Sequence, residues 1–240
     1  MKKIFLFAAA VMLLTACHKP EQHAYDTDGL KGTVVDHEGN TYQTVHIGSQ
    51  EWMAENMRCK TTHDHTMAFR DSSLHYLSLT EPVAYQYKNN PENSTNRYGY
   101  LYNWTAANNI CPDGWRLPTQ DDFDTLEQYL GGLDQYRLEE NPYQIAKALA
   151  DSIGWDYSRQ TNVPGNQPEL NNSTGFSALP AGYYDGIFEG RGHETTFWTS
   201  TDMPASMEYA YSRTISFMKP SVNYNRGHKN TGLSVRCVKE

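Results

Sequence analysis

Cysteine is scarce in this chain and never paired at short range: four occur in 240 residues, and no Cys-x-x-Cys spacing exists. Closed thiolate zinc sites need ligands at such spacing, so that class is excluded. Basic runs are missing too. With 28 Asp and Glu against 20 Lys and Arg, the formal net charge is −8, which argues against a nucleic-acid partner and against docking on anionic lipid through the protein surface. No Gly-x-Ser-x-Gly elbow, internal repeat or low-complexity tract appears. The adjacent carboxylates Asp121 and Asp122 sit at a helix start, where capping accounts for them, so no catalytic constellation emerges and no enzyme is expected. What the chain does have is aromatic surface. Its 17 Tyr and 5 Trp supply large buried area with polar tips, against a hydrophobic content of only 38%. The length suits one domain with a sizeable core.

The amino terminus is the other clear signal. Lys2 and Lys3 precede an apolar run from Ile4 to Leu14, and Leu14-Thr15-Ala16-Cys17 follows. A basic start, a short apolar segment and small residues describe a secretory signal over residues 1–16, too short to be a retained spanning helix. Its end on a Cys resembles the lipobox of bacterial lipoproteins. That resemblance implies cleavage before Cys17, acylation of Cys17 and tethering of the mature chain to the outer membrane. Loss of Lys2 and Lys3 takes the net charge from −8 to −10. Each buried methylene of an acyl chain contributes about 0.8 kcal/mol, so several chains anchor firmly. Residues 17–30 lack periodicity and read as a flexible tether.

From Lys31 onward the pattern is strand and turn. Gly32 to Asp36 and Thr41 to Ile47 flank a Gly-Asn corner as a β-hairpin, Glu51 to Met57 reads as a third strand, and residues 61 to 69 as its continuation. Residues 71 to 97 read as a long excursion, and Tyr100 to Ala107 as helix-like. Thr119 and Asp122 form a capping-box pattern ahead of a helix whose inner face is Phe123, Leu126, Tyr129 and Leu130, ended by Gly131-Gly132. A second helix is expected over about Pro142 to Asp151. Thr196 to Ser200, Glu208 to Phe217 and Leu233 to Lys239 are strand candidates. Beyond Cys17 three cysteines remain, so at most one intramolecular disulfide forms. Cys111–Cys237 is the expected pair, closing nearly the whole second half, with Cys59 left as a thiol.

Several words of the sequence occur together and in order. They are residues 33 to 57, Tyr98-Gly-Tyr-Leu-Tyr-Asn-Trp104, Cys111-Pro-Asp-Gly-Trp-Arg-Leu-Pro-Thr119, Gly175-Phe-Ser-Ala-Leu-Pro-Ala-Gly182, Phe197-Trp-Thr-Ser-Thr201 and Gly232-Leu-Ser-Val-Arg-Cys-Val-Lys239. Over residues 31–240 the chain resembles the Fibrobacter succinogenes major paralogous domain. The resemblance implies an α+β fold of C-type-lectin-like architecture: mostly antiparallel β-strands with two helices and long loops. It also implies a secreted or surface lipoprotein and says little about chemistry. Trp52, Trp104, Trp115 and Trp198 then read as core anchors. Sulfatase-modifying enzymes share the lectin-like fold but use reactive cysteines in their C-terminal half, whereas Cys111 and Cys237 read as structural here.

Four candidate sites follow. His63-Asp64-His65 places two imidazoles on one face of a strand, a metal-binding pattern lacking a third ligand. Gln167-Pro168-Glu169 resembles the Glu-Pro-Asn or Gln-Pro-Asp loop of C-type lectins, and Trp198-Thr-Ser-Thr-Asp202 resembles their Trp-Asn-Asp strand. On that resemblance Glu169, Asn171, Asn172 and Asp202 offer part of a calcium shell, the one cofactor to consider. Cys59 and His65 are the residues any turnover would need. The broadest candidate is an aromatic binding surface of Tyr183, Tyr184, Phe188, Tyr209, Tyr211 and Tyr224 with Arg191. The expected role is a cell-envelope lipoprotein with a non-enzymatic recognition or adhesion domain that binds glycan or protein. The alternative is a structural or accessory subunit of an envelope or fimbrial assembly.

Overall fold

Strands β1 (Lys31–Val35) and β2 (Thr41–Ile47) form the expected hairpin, with Lys31 opposite Val45 and Val35 opposite Thr41. Its corner is set by one side chain. The Asp36 carboxylate accepts the backbone N–H groups of Glu38 and Asn40, each at 2.9 Å, and the Tyr42 hydroxyl at 2.7 Å. The computed structural model describes residues 29, 31–64, 66–71, 78–87, 95–138 and 141–240. Residues 1–28, with the expected signal and Cys17, and His65 lie outside the described residues.

Strand β3 (Gln50–Met53) continues the meander, but residues 61 to 69 do not extend it. Strand β4 (Ala68–Asp71) instead lies parallel to β5 (Val83–Gln86) in a separate small sheet. The expected excursion hides β5 because Val83, Ala84 and Tyr85 are all buried, so no alternation marks it. After α1 (Thr95–Tyr98), the helix expected over Tyr100 to Ala107 divides into β6 (Leu101–Tyr102), antiparallel to β5, and α2 (Trp104–Ala107). Asn103 causes the break. Its side-chain oxygen accepts from Val83 N at 2.9 Å and from Ala106 N at 3.0 Å, holding the strand partner and capping the helix at once.

Strand β7 (Trp115–Arg116) precedes α3 (Gln120–Gly131), the longest helix described. Its capping box is the expected one: the Thr119 hydroxyl accepts from Asp122 N at 3.1 Å, and Asp122 accepts from Thr119 N at 2.6 Å. Arg116 forks onto the same carboxylate at 2.5 and 2.9 Å. Phe123, Leu126 and Leu130 are buried as expected. At Gly131 a Cβ would lie 2.4 Å from the Pro142 carbonyl, so this residue is chosen for close approach. Helix α4 (Ala146–Leu149) is shorter than the expected segment. Tertiary bonds take its ends, since Ala146 N donates to Pro220 O at 2.9 Å and Ala150 turns extended to bridge Ala178.

After a single 3-10 turn at Pro168–Leu170, the second half builds one sheet. Strands β8 (Ala181–Tyr184) and β9 (Phe188–Arg191) form a hairpin; β10 (Glu194–Asp202), β11 (Tyr209–Ser216) and β12 (Asn223–His228) run antiparallel in succession. The sheet order is β12-β11-β10-β8-β9, with β8 parallel to β10. Of the expected strand Leu233 to Lys239 only β13 (Val238–Lys239) is regular. The residues before it make single bridges, Gly232 to Tyr184, Leu233 to Tyr102 and Ser234 to Phe197, because this segment threads between sheets and stitches each in turn.

β13 inserts between β3 and β7, so the sheet reads β1-β2-β3-β13-β7 and the two ends of the described domain meet. The Cys111–Cys237 disulfide forms beside that junction, its Cα atoms 5.9 Å apart, and Cys59 is the free cysteine among the described residues. Trp52 and Trp198 are fully buried, and the Trp198 indole donates to Tyr102 O at 2.7 Å. Arg236 is buried as well. It donates to Asn56 Oδ1 at 2.8 Å, Ser177 O at 3.1 Å and the Phe176 carbonyl, and stacks on the Phe176 ring. The architecture is α+β, mostly antiparallel sheet with four short to medium α-helices among the described residues.

Candidate functional site

Strand period puts Tyr209, Tyr211 and Arg213 on one face of β11, and the register sets His228, Arg226 and Tyr224 of β12 directly opposite them. The outcome is a ladder of aromatic and cationic pairs. His228 lies edge-on to Tyr209 at 5.0 Å, and the Arg213 guanidinium sits 3.5 Å from the Tyr224 ring centre. On the opposite face, Ala210, Ser212 and Thr214 are buried.

The α3 helix closes one end of this ladder. Its positions 124, 127 and 128 form a polar stripe that flanks the buried Phe123 and Leu126. Arg213, fully buried, reaches Asp124 at 2.6 Å and Glu127 at 3.1 Å and donates to the Gln120 side chain. The Tyr224 hydroxyl donates to Asp124. Between α3 and β12 lies a cleft of about 690 Å³. Its floor is Ile145 and Val222, its wall Asp124, Glu127 and Gln128, and its rim Tyr143 and Tyr224, which are 74% and 58% exposed. The Arg213 cation covers one face of the Tyr224 ring, and the residue as a whole stays largely exposed.

Two effects oppose each other at Glu127. Burial raises its pKa and Arg213 lowers it, but Arg213 is shared with Asp124 and Gln120, so burial wins and the carboxyl is pushed up to about 7. The Tyr224 hydroxyl is pushed up to about 12 by burial and by its bond to Asp124, so it remains a neutral donor.

Of the expected aromatic surface, Tyr209, Tyr211 and Tyr224 come together on the ladder. Tyr184 does not belong to any binding surface: it is 1% exposed and stacks on Tyr85 at 4.2 Å in the cluster with Val83, Leu101 and Ala181. Tyr183 is half-buried with its hydroxyl donating to Glu189 at 2.8 Å, and Arg191 reaches toward the Tyr87 and Tyr98 rings; both sit on the β8–β9 hairpin at the far edge of the sheet. Sequence reasoning missed Asp124, Glu127, Tyr143 and Arg213. The signal for them was present in the polar stripe of α3 at spacings of three and four, and in the alternation that carries Tyr209 and Tyr211 on to Arg213.

The calcium candidates lie on the 3-10 turn and the residues after it and at the end of β10. Glu169 is exposed on the 3-10 turn, and the Asn171 amide donates to Asp151 O and Pro164 O at 2.9 and 3.0 Å. Asn172 bonds Ser177, while Asp202 pairs with Lys229 at 2.7 Å. A lysine occupies the loop's inward carbonyls: the Lys147 ammonium donates to Asn166 O at 2.5 Å and Gln167 O at 3.1 Å. Of the His63-Asp64-His65 candidate, His65 lies outside the described residues. His63 bonds the Cys111 carbonyl at 2.7 Å, and Asp64 accepts from Thr62 and Thr66. Cys59 is fully buried, and burial pushes its thiol up to about 12.

A model of the Fibrobacter succinogenes major domain matches residues 45–239. The chain belongs to this family. No curated protein and no solved structure matches it. The span shared with the Fibrobacter succinogenes major domain contains the whole cleft, the ladder and the disulfide, whereas β1 and its corner precede it. Among the described residues no helix is long and apolar enough to cross a membrane.

Proposed function

We propose that this Fibrobacter succinogenes major domain is the recognition module of an outer-membrane lipoprotein, anchored by acyl chains on Cys17, and that it binds glycan without transforming it. The observation that carries the reading is the cleft between α3 and β12, with a largely exposed Tyr224 backed by Arg213 and carboxylates at the wall. Sugar rings stack their C–H faces on aromatic rings and give their hydroxyls to carboxylates, which is the chemistry this cleft offers. Arg213 is committed to internal partners and serves to fix the ring and the acids in place. A C-type-lectin-like architecture is in keeping with this. Its support is the carboxy-terminal strand inserted beside the amino-terminal hairpin, the disulfide that pins it, and the long segment between α4 and β8.

Glycan-array screening of the full-length chain tests the reading. Saturable binding by the parent, lost in a Tyr143→Ala/Tyr224→Ala double variant, is expected. An array without any ligand would overturn it. A second reading, as an accessory subunit of an envelope or fimbrial assembly, is favoured by one feature: β12 is the sheet's edge and has no outer strand among the described residues, which suits strand addition. Copurification of a partner at fixed stoichiometry, abolished by a proline at Asn225, would favour it.

A further inference from the structure

The β1–β2 corner and the segment 59–61 face each other across a small cluster outside the cleft, and we propose that His37, Glu38 and Cys59 there form a binding site for a zinc-type divalent metal ion. One ligand atom from each of the three lies within 4.8 Å of the others. The Cys59 sulfur is 3.4 Å from His37 Nε2. In a tetrahedral zinc site with Zn–S of about 2.3 Å and Zn–N of about 2.0 Å, sulfur and nitrogen stand about 3.5 Å apart, so this pair is already at bonding span. A soft thiolate, an imidazole and a carboxylate suit zinc, and their two negative charges balance the dication. The fourth position faces solvent, since His37 and Glu38 are exposed while Cys59 forms the buried base.

Surrounding bonds orient each ligand, as metal sites require. Asp36 fixes the corner through the backbone N–H groups of Glu38 and Asn40. The Glu38 carboxylate accepts from Lys60 N at 3.0 and 3.1 Å and from the Thr61 hydroxyl at 2.6 Å. The His37 ring packs against His63 at 4.7 Å, and His63 is itself bonded to the Cys111 carbonyl at 2.7 Å, so the imidazole is braced from the disulfide. On binding, the Cys59 thiol gives up its bond to Thr61 O, 3.0 Å away, and His37 Nε2 gives up its 3.0 Å bond to the Thr61 hydroxyl; the thiol S–H bond breaks, S–metal and N–metal bonds form, and the proton leaves to solvent. His37 and Glu38 precede the family-matched residues 45–239, whereas Cys59 lies within them.

Cobalt substitution reads the site directly. One equivalent of Co(II) added to the full-length chain with its Cys111–Cys237 disulfide intact is expected to give a thiolate-to-cobalt charge-transfer band and intense visible bands of a tetrahedral centre, both bleached by one equivalent of Zn(II). The exposed-position variants His37→Ala and Glu38→Gln, which leave the core intact, are expected to weaken binding about tenfold or more. Cys59→Ser is expected to remove the charge-transfer band. Absence of that band in the parent would overturn the proposal, as would parental affinity in both exposed-position variants.

Discussion

Glu127 gives the pH dependence of this fold a definite sign. Its carboxyl is held near 7 in the folded chain against an ordinary 4.5, because burial outweighs what Arg213 has left to offer. The folded state therefore holds this proton more tightly than the unfolded state does. Stability from this group is whole below about 4.5, declines as the pH rises through the window, and is fully lost above about 7. At about 1.4 kcal/mol per pH unit, the span from 4.5 to about 7 corresponds to about 3 kcal/mol. Glu127→Gln carries no titrating proton and keeps an acceptor for Arg213. Urea midpoints of parent and variant, taken from about pH 4 to about pH 8, should diverge in the variant's favour by up to that amount. Other carboxylates titrate alike in both proteins and cancel in the difference. A difference that stays constant with pH would refute the reasoning. One that moves the opposite way would show that Arg213 prevails over burial.

Two further outcomes concern the scaffold. Replacing Cys111 and Cys237 by Ser opens a loop with a sequence separation of 126, which on the chain-entropy model costs about 5 kcal/mol; an unchanged denaturation midpoint would contradict the bridge's role. Arg236→Met strips the donor from Asn56 Oδ1 and from the carbonyls of Phe176 and Ser177, a loss of about 3 kcal/mol or more by urea unfolding, and a loss below about 1 kcal/mol would show those acceptors finding other partners.

Local chemistry was legible wherever it acted locally. The Thr119–Asp122 capping box, the hairpin around Asp36 and the inner face of α3 follow from residues close in sequence; three cysteines limit the chain to one bridge, and the turn at Cys111 with the terminal alternation at Cys237 point to the pair that forms. Elements whose partners are distant were not. Val83 to Gln86 shows no alternation because it is buried on both sides, and Asn103 ends a strand by bonds to residues about twenty positions away. The stretch Leu233 to Lys239 alternates like a strand, yet its partners belong to three different sheets, so only its last residues pair regularly. The site fared the same way. Tyr209, Tyr211 and Tyr224 were visible as an excess of aromatics, but Tyr184 is identical in type and lies in the core. Which tyrosines face out is decided by the register of β11 against β12, and Arg213 meets Asp124 across 89 residues of chain.

The central claim is that the cleft between α3 and β12 holds a sugar. A crystal structure of the full-length chain soaked with an oligosaccharide chosen by array tests it most directly. The account predicts a pyranose ring stacked on the outer face of Tyr224 with a hydroxyl on Asp124; a sugar bound on another face, with this cleft filled by solvent alone, would contradict it.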